Sequence, residues 1–224
     1  ISNSSNYLNL GDLTIHTDNA KLWSPRPDWE MLRARRDSIL DQLAKLPITD
    51  DQKCGGFDTP LNDHSGLLNH QRLPITQSPV SNLQFTNSLA SALANADLPA
   101  TITATQKLAG LGMGLTPSGD DFIMGAILAA WILHPAHVAG ILAAEVTDVA
   151  AALTTSLSGA WLRSAGRGEA GILWHQFFDK LISADPTAIQ ESMDKILSVG
   201  ETSGADALAG FISSFMAWSV EART

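Results

Sequence analysis

An apolar run from Phe122 to Leu133, entered through a turn with three glycines in five positions, constrains this chain more than any other stretch. The run is too short to span a bilayer and reads as a buried helix. Gly110, Gly112 and Gly114 give the approach to it a backbone that can come close to a ligand. Thr116-Pro117 and Ser118 supply two overlapping helix-start signals: a cap ahead of proline at the first helical position, or Ser118 itself as the cap. With Ser118 as N-cap, Asp121 falls at N3, a capping box with Asp in place of Glu. A helix N-terminus behind a Gly-rich turn offers free N–H groups and the positive end of a dipole, which suits an anion. Asp120 and Asp121 bring two negative charges to that same end. They suit a metal bridging to the anion, or proton transfer beside it.

A second copy lies near the C-terminus, Gly200-Glu201-Thr202-Ser203-Gly204-Ala205-Asp206-Ala207-Leu208-Ala209-Gly210. Aligning Ser118-Gly119 with Ser203-Gly204 also matches Asp121 with Asp206, Gly125 with Gly210 and Ile127 with Ile212. In both copies the Asp and the later Gly are four apart and share a helix face, where glycine lets another helix approach closely. Two similar helix starts are therefore expected to turn their Asp-bearing faces to one site. The bland alternative is that each Ser-x-x-Asp is only a cap, worth roughly 0.5–2 kcal/mol.

The 224 residues suit one domain with a small appendage and allow a substantial core. The balance of 14 basic against 23 acidic residues, net −9, argues against nucleic acid or an anionic membrane as partner. It leaves room for a small anionic metabolite, because a local helix end can bind what the global field repels. Cys54, the single cysteine, excludes an internal disulfide framework and fits a reducing cytosol. The start at Ile1-Ser2-Asn3 has neither a basic n-region nor an apolar h-region and no initiator Met. A cytoplasmic protein is expected, numbered as a piece of a longer chain.

Tyr7-Leu8-Asn9-Leu10 and Leu13-Thr14-Ile15-His16 alternate around Gly11-Asp12 as a small hairpin. Asp28 caps a helix expected to run to Leu46, and residues 47–79, rich in proline, glycine and Asp, read as a long irregular loop. Beyond Pro79 the spacing predicts helices over 80–95, 99–109, 118–133, 136–165 with a break near Gly159, 169–183, 186–198 and 203–221. Trp131, Trp161, Trp174 and Trp218 read as core. The expected class is mainly α: residues 1–27 form a small β-containing segment and residues 28–224 a multi-helix domain, α+β overall.

His134 and His137 flank Pro135 and lack a third ligand, so zinc is not expected. The glycines at 110, 112 and 114 follow no strand, which rejects a dinucleotide fold. Arg163 and Arg167 stand four apart after the Ser/Thr-rich turn Thr154-Thr155-Ser156-Leu157-Ser158. As a fork they suit carboxylate or phosphate; as solvated residues near a helix C-terminus they do nothing specific.

The two motifs together, Gly112-x-Gly114-Leu115-Thr116-Pro117-Ser118-Gly119-Asp120-Asp121 and Gly200-x-Thr202-Ser203-Gly204-Ala205-Asp206-x-Leu208-x-Gly210, resemble the AllH-type family over residues 108–213. Its members include a subunit associated with oxamate carbamoyltransferase in anaerobic allantoin breakdown, and many are uncharacterised. Met113 stands where the family often has Pro, and Glu201 where the carbamoyltransferase-linked members tend to have His. If that His serves transfer, this chain binds a related ligand without the same reaction.

The resemblance implies a subunit that works with partner subunits on a small carboxylate or amide and carbamoyl phosphate. Gly112, Gly114, Thr116, Ser118, Gly119, Thr202, Ser203 and Gly204 are then expected to bind substrate, with Arg163 and Arg167 in support. Asp121 or Asp206 would orient or deprotonate the attacking nitrogen, and Asp120 would act beside them or hold Mg²⁺. Two competing expectations are a non-catalytic anion-binding or scaffolding subunit, and a metal-dependent hydrolase using Asp120, Asp121 and Asp206.

Overall fold

The computed structural model describes residues 7–16, 23–46 and 80–221. The loop expected over 47–79, with Cys54, lies outside the described residues. The expected hairpin is present: β1 (Tyr7–Leu10) pairs antiparallel with β2 (Leu13–His16), Leu10 facing Leu13 across the turn. Everything else described is helix and connection: α1 (Trp29–Ala34), α2 (Arg36–Lys45), α3 (Val80–Ala94), α4 (Leu98–Leu108), α5 (Ser118–Leu133), α6 (Ala136–Ala151), α7 (Ser156–Gly166), α8 (Ile172–Ser183), α9 (Pro186–Leu197) and α10 (Ser203–Glu221). The chain is mainly α, as expected. No helix among the described residues is long and apolar enough to cross a membrane.

Helix α5 is the axis of the molecule. All of it is buried except Met124 and Trp131, which are partly covered. A helix apolar on every side needs neighbours on every side. Here α10 lies along it most extensively, with α6, α7, α3 and α1 around the rest. At its far end Arg33 and Arg36 donate to the Trp131 and Leu133 carbonyls at 3.0 and 3.1 Å. Guanidinium groups there satisfy the last carbonyls and the negative dipole end. Trp174, Phe177, Phe178, Phe211 and Phe215 form a continuous ring cluster between α8 and α10.

The glycines on the Asp-bearing faces set how close α5 and α10 come. A Cβ on Gly125 would lie 1.8 Å from the Ala207 carbonyl oxygen, and one on Gly210 would lie 2.0 Å from that of Phe122. The pattern is reciprocal: Gly125 and Gly210 are equivalent in the repeat, and so are Phe122 and Ala207. The two copies therefore cross as if about a local two-fold axis, each glycine admitting the other copy's backbone.

Two helix boundaries differ from the expectation. The helix expected over 136–165 breaks at Ala152–Thr155 instead of Gly159, because Thr155 caps α7 by accepting the Ser158 N–H at 3.1 Å. The helix begun at Asp28 breaks at Arg35, whose φ of −113° and ψ of 10° leave the helical region, and α2 starts at the next residue.

Candidate functional site

The capping box expected at Ser118 is not what starts α5. Pro117 is the N-cap and supplies no side-chain hydrogen bond, so Ser118 is the first helical residue and Asp121 lies one position further in than N3. The backbone does the capping. The Gly119 N–H donates to the Leu111 carbonyl at 2.8 Å, and the Asp120 and Asp121 N–H groups donate to that of Pro117. In the second copy the Gly204 N–H donates to the Val199 carbonyl and the Asp206 N–H to that of Thr202. These amides, expected to cradle an anion, are thus already used.

The Ser-Gly glycines serve packing in the same way in both copies. A Cβ on Gly119 would meet the Leu108 carbonyl oxygen at 2.0 Å, and one on Gly204 that of Ile196 at 1.8 Å. Each glycine lets the helix start sit against the end of the preceding helix. Gly112 and Gly114 have φ of 124° and 93° and lie exposed on the loop.

Relieved of capping, the side chains are free to do other things, and the two neighbouring acids do different ones. Asp120 looks away from the second copy. Its Oδ1 accepts the Gly110 N–H at 2.8 Å, and its Oδ2 accepts the Thr154 and Ser158 hydroxyls, the latter at 2.8 Å. It ties the Gly-rich loop to the start of α7, helped by the Thr155 hydroxyl donating to the Leu115 carbonyl at 2.6 Å. Both Asp120 oxygens therefore accept from protein donors, one at Oδ1 and two at Oδ2. Among the described residues no three His, Cys, Asp or Glu side chains are placed to hold a metal.

Asp121 faces the second copy. The Thr116 and Ser203 hydroxyls meet at 2.9 Å, which joins the two helix starts directly. Hydrogen bonds from Ser203 and Thr116 reach the Asp121 carboxyl, yet its pKa is raised to about 7. Burial is the main cause, with the nearby charges of Asp206 and Asp120 adding to it and the two hydroxyls opposing. The Asp121 Oδ2 is buried without a hydrogen-bond partner. Asp206 is fully buried beside it.

Thr116, Asp121, Ser203 and Gly204 line a cavity of ≈ 740 Å³ between α5, α7, α8 and α10. Its walls include Met124, Leu128, Trp161, Leu173 and Trp174, and Trp23, Ser164 and Glu169 also line it. Of the expected substrate-binding residues, Gly112, Gly114, Ser118, Gly119, Thr202, Arg163 and Arg167 are not in that lining. Arg167 instead grips Glu169, Nε to Oε1 at 3.0 Å and Nη2 to Oε2 at 2.7 Å. The Arg167 guanidinium and the Ser164 hydroxyl hold the Glu169 carboxyl down at about 2.

Ser164, Glu169 and the exposed Trp161 are among the lining residues that sequence reasoning missed. Trp161, expected in the core, is 54% exposed. The signal for it was faint: only its four-residue spacing from the equally uncovered Leu157 marks an apolar stripe with no core beneath.

No solved structure matches the chain. Residues 108–215, from the end of α4 through most of α10 and so including both helix starts, match the family model described as oxamate carbamoyltransferase subunit AllH, which supports an AllH-type assignment.

Proposed function

We propose that this chain is a cytoplasmic AllH-like subunit of a carbamoyltransferase, and that its cavity receives the small acceptor, an amide or carboxylate such as oxamate. One observation carries the reading: two helix starts meet at Asp121, on the wall of a cavity, and leave its carboxyl with a pKa of about 7. A base works best when its pKa lies near the operating pH. In this reading the acceptor nitrogen bonds to the carbamoyl carbon, the carbon–oxygen bond to phosphate breaks, and Asp121 takes the proton from nitrogen. Thr116 and Ser203 orient that carboxyl, and burial, with the charge of Asp206 adding to it, keeps its pKa high.

Among the described residues the lining contains no Lys or Arg. A phosphate dianion would meet two helix ends of roughly half a positive charge each, already offset by Asp120, Asp121 and Asp206. The donor's phosphate is therefore assigned to a partner subunit, in keeping with the word subunit in the family description. The same lack of cations favours the second reading, a non-catalytic subunit that binds a metabolite.

The test is carbamoyl transfer to oxamate by the chain assembled with candidate partner subunits. Asp121→Asn should lower turnover about 100-fold or more while the helical content stays unchanged. Turnover indifferent to that substitution would leave only the non-catalytic reading.

A further inference from the structure

The cavity is far larger than the acceptor just proposed requires. At ≈ 740 Å³ it falls in the range that encloses drug-sized ligands, and a molecule as small as oxamate would leave most of it open. Its polarity is also lopsided. The groups free to meet a ligand head, Asp121 with the Thr116 and Ser203 hydroxyls, sit together on the α5–α10 side. The walls beyond them are mostly apolar, and three of them are indole rings, Trp23, Trp161 and Trp174. Trp174 is fixed by its contacts with Phe177, Phe178 and Phe211, whereas Trp161 presents an uncovered face. An aromatic face in a cleft gains most from a flat partner.

Charge then selects the head. Among the described residues no Lys or Arg lines the cavity, and its second acid, Glu169, is already satisfied by Arg167 and Ser164. What remains is an acceptor: Asp121, with one buried carboxyl oxygen lacking a donor. A buried acceptor in that state gains most from an N–H brought by a ligand and loses most from a second anion.

We propose that this cavity binds a planar apolar ring carrying an uncharged or cationic N–H-donating head, a carboxamide or an amidine, with the head on Asp121 and Ser203 and the ring against Trp161. This rests on Asp121 being the floor of the ligand site, as in the transferase reading, and not on the transfer chemistry itself.

Three probes of one shape separate the terms: benzamide, benzamidine and benzoate, titrated calorimetrically into the whole chain at pH 7.5. Benzamide and benzamidine should bind, with benzoate at least about tenfold weaker. Trp161→Ala should weaken benzamide about fivefold or more. Leu157→Ala, equally exposed on α7 but outside the lining, should leave it unchanged. Asp121→Asn should remove the preference of benzamidine over benzoate. Benzoate binding as tightly as benzamide, indifference to Trp161→Ala, or no binding by any probe each overturns the proposal. Transfer to oxamate is read separately. Turnover lost in Asp121→Asn with no probe binding sinks this proposal alone, while probe binding as expected with turnover indifferent to Asp121→Asn sinks only the transferase.

Discussion

Replacing Gly125 with Ala tests whether the crossing of α5 and α10 builds the site. The new Cβ would lie 1.8 Å from the Ala207 carbonyl oxygen, 2.7 Å from its carbon and 3.0 Å from the Phe211 nitrogen, whereas ordinary contact begins at 3.4 Å. The deficit is about 1.6 Å against the nearest atom. All three obstacles are backbone, so no rotamer change relieves them and the helices must separate. Overpacking ordinarily costs about 1–3 kcal/mol, and a rigid neighbour places this site at the upper end or beyond. Alanine's better helix propensity returns about 1 kcal/mol. The net loss is about 2 kcal/mol or more, which in a chain of this size lowers the melting temperature by roughly 4–8 °C. Separation also opens the 2.9 Å contact between Thr116 and Ser203, so benzamide binding should fall with stability. Gly140→Ala is the control, because its Cβ would meet only Trp131 Cη2 at 3.7 Å. Inside α6 that change should be neutral or stabilising by up to about 1 kcal/mol. Because Gly210 admits the same crossing from the other side, Gly125→Ala with Gly210→Ala should cost less than the two singles together. Thermal unfolding by circular dichroism measures all of these. A Gly125→Ala protein that melts with the wild type would refute the reasoning.

Asp121 gives a pH prediction with a definite sign. Folded, it holds its proton to about pH 7; unfolded, it releases it near 3.8, so between those values the unfolded state binds fewer protons. Its contribution to stability is complete below pH 3.8 and is lost as pH rises to about 7. The margin of Asp121→Asn over the wild type in melting temperature should therefore grow from pH 5 to pH 8, with the variant above the wild type at pH 8, and a variant less stable at pH 8 would contradict this. Asp120→Ala leaves the Gly110 N–H and the Thr154 and Ser158 hydroxyls without their acceptor. It should cost about 3 kcal/mol or more in chemical denaturation and expose the Gly-rich loop to limited proteolysis. Asp97→Ala, which removes the cap accepting the Ala100 N–H at 3.1 Å, should cost about 1 kcal/mol without touching ligand binding.

The amino-acid sequence alone determined the order of the helices and most of their ends. Apolar spacing, prolines and cap residues act within a few positions, and α5 and α10 begin at the serines where the local signals place them. The repeat also disclosed the matched glycines, since a bare Cα on an apolar face means a close neighbour. Tertiary structure decided the roles of the adjacent acids. Asp120 and Asp121 are about 100° apart around one helix. One is spent on three donors from the loop and α7, and the other is buried against a helix start from the far end of the chain. It also decided that Arg167 binds Glu169 and that Trp161 forms a wall rather than core. A helix start is fixed by residues beside it in the chain, but the charge state of a carboxyl is fixed by whatever the fold brings next to it.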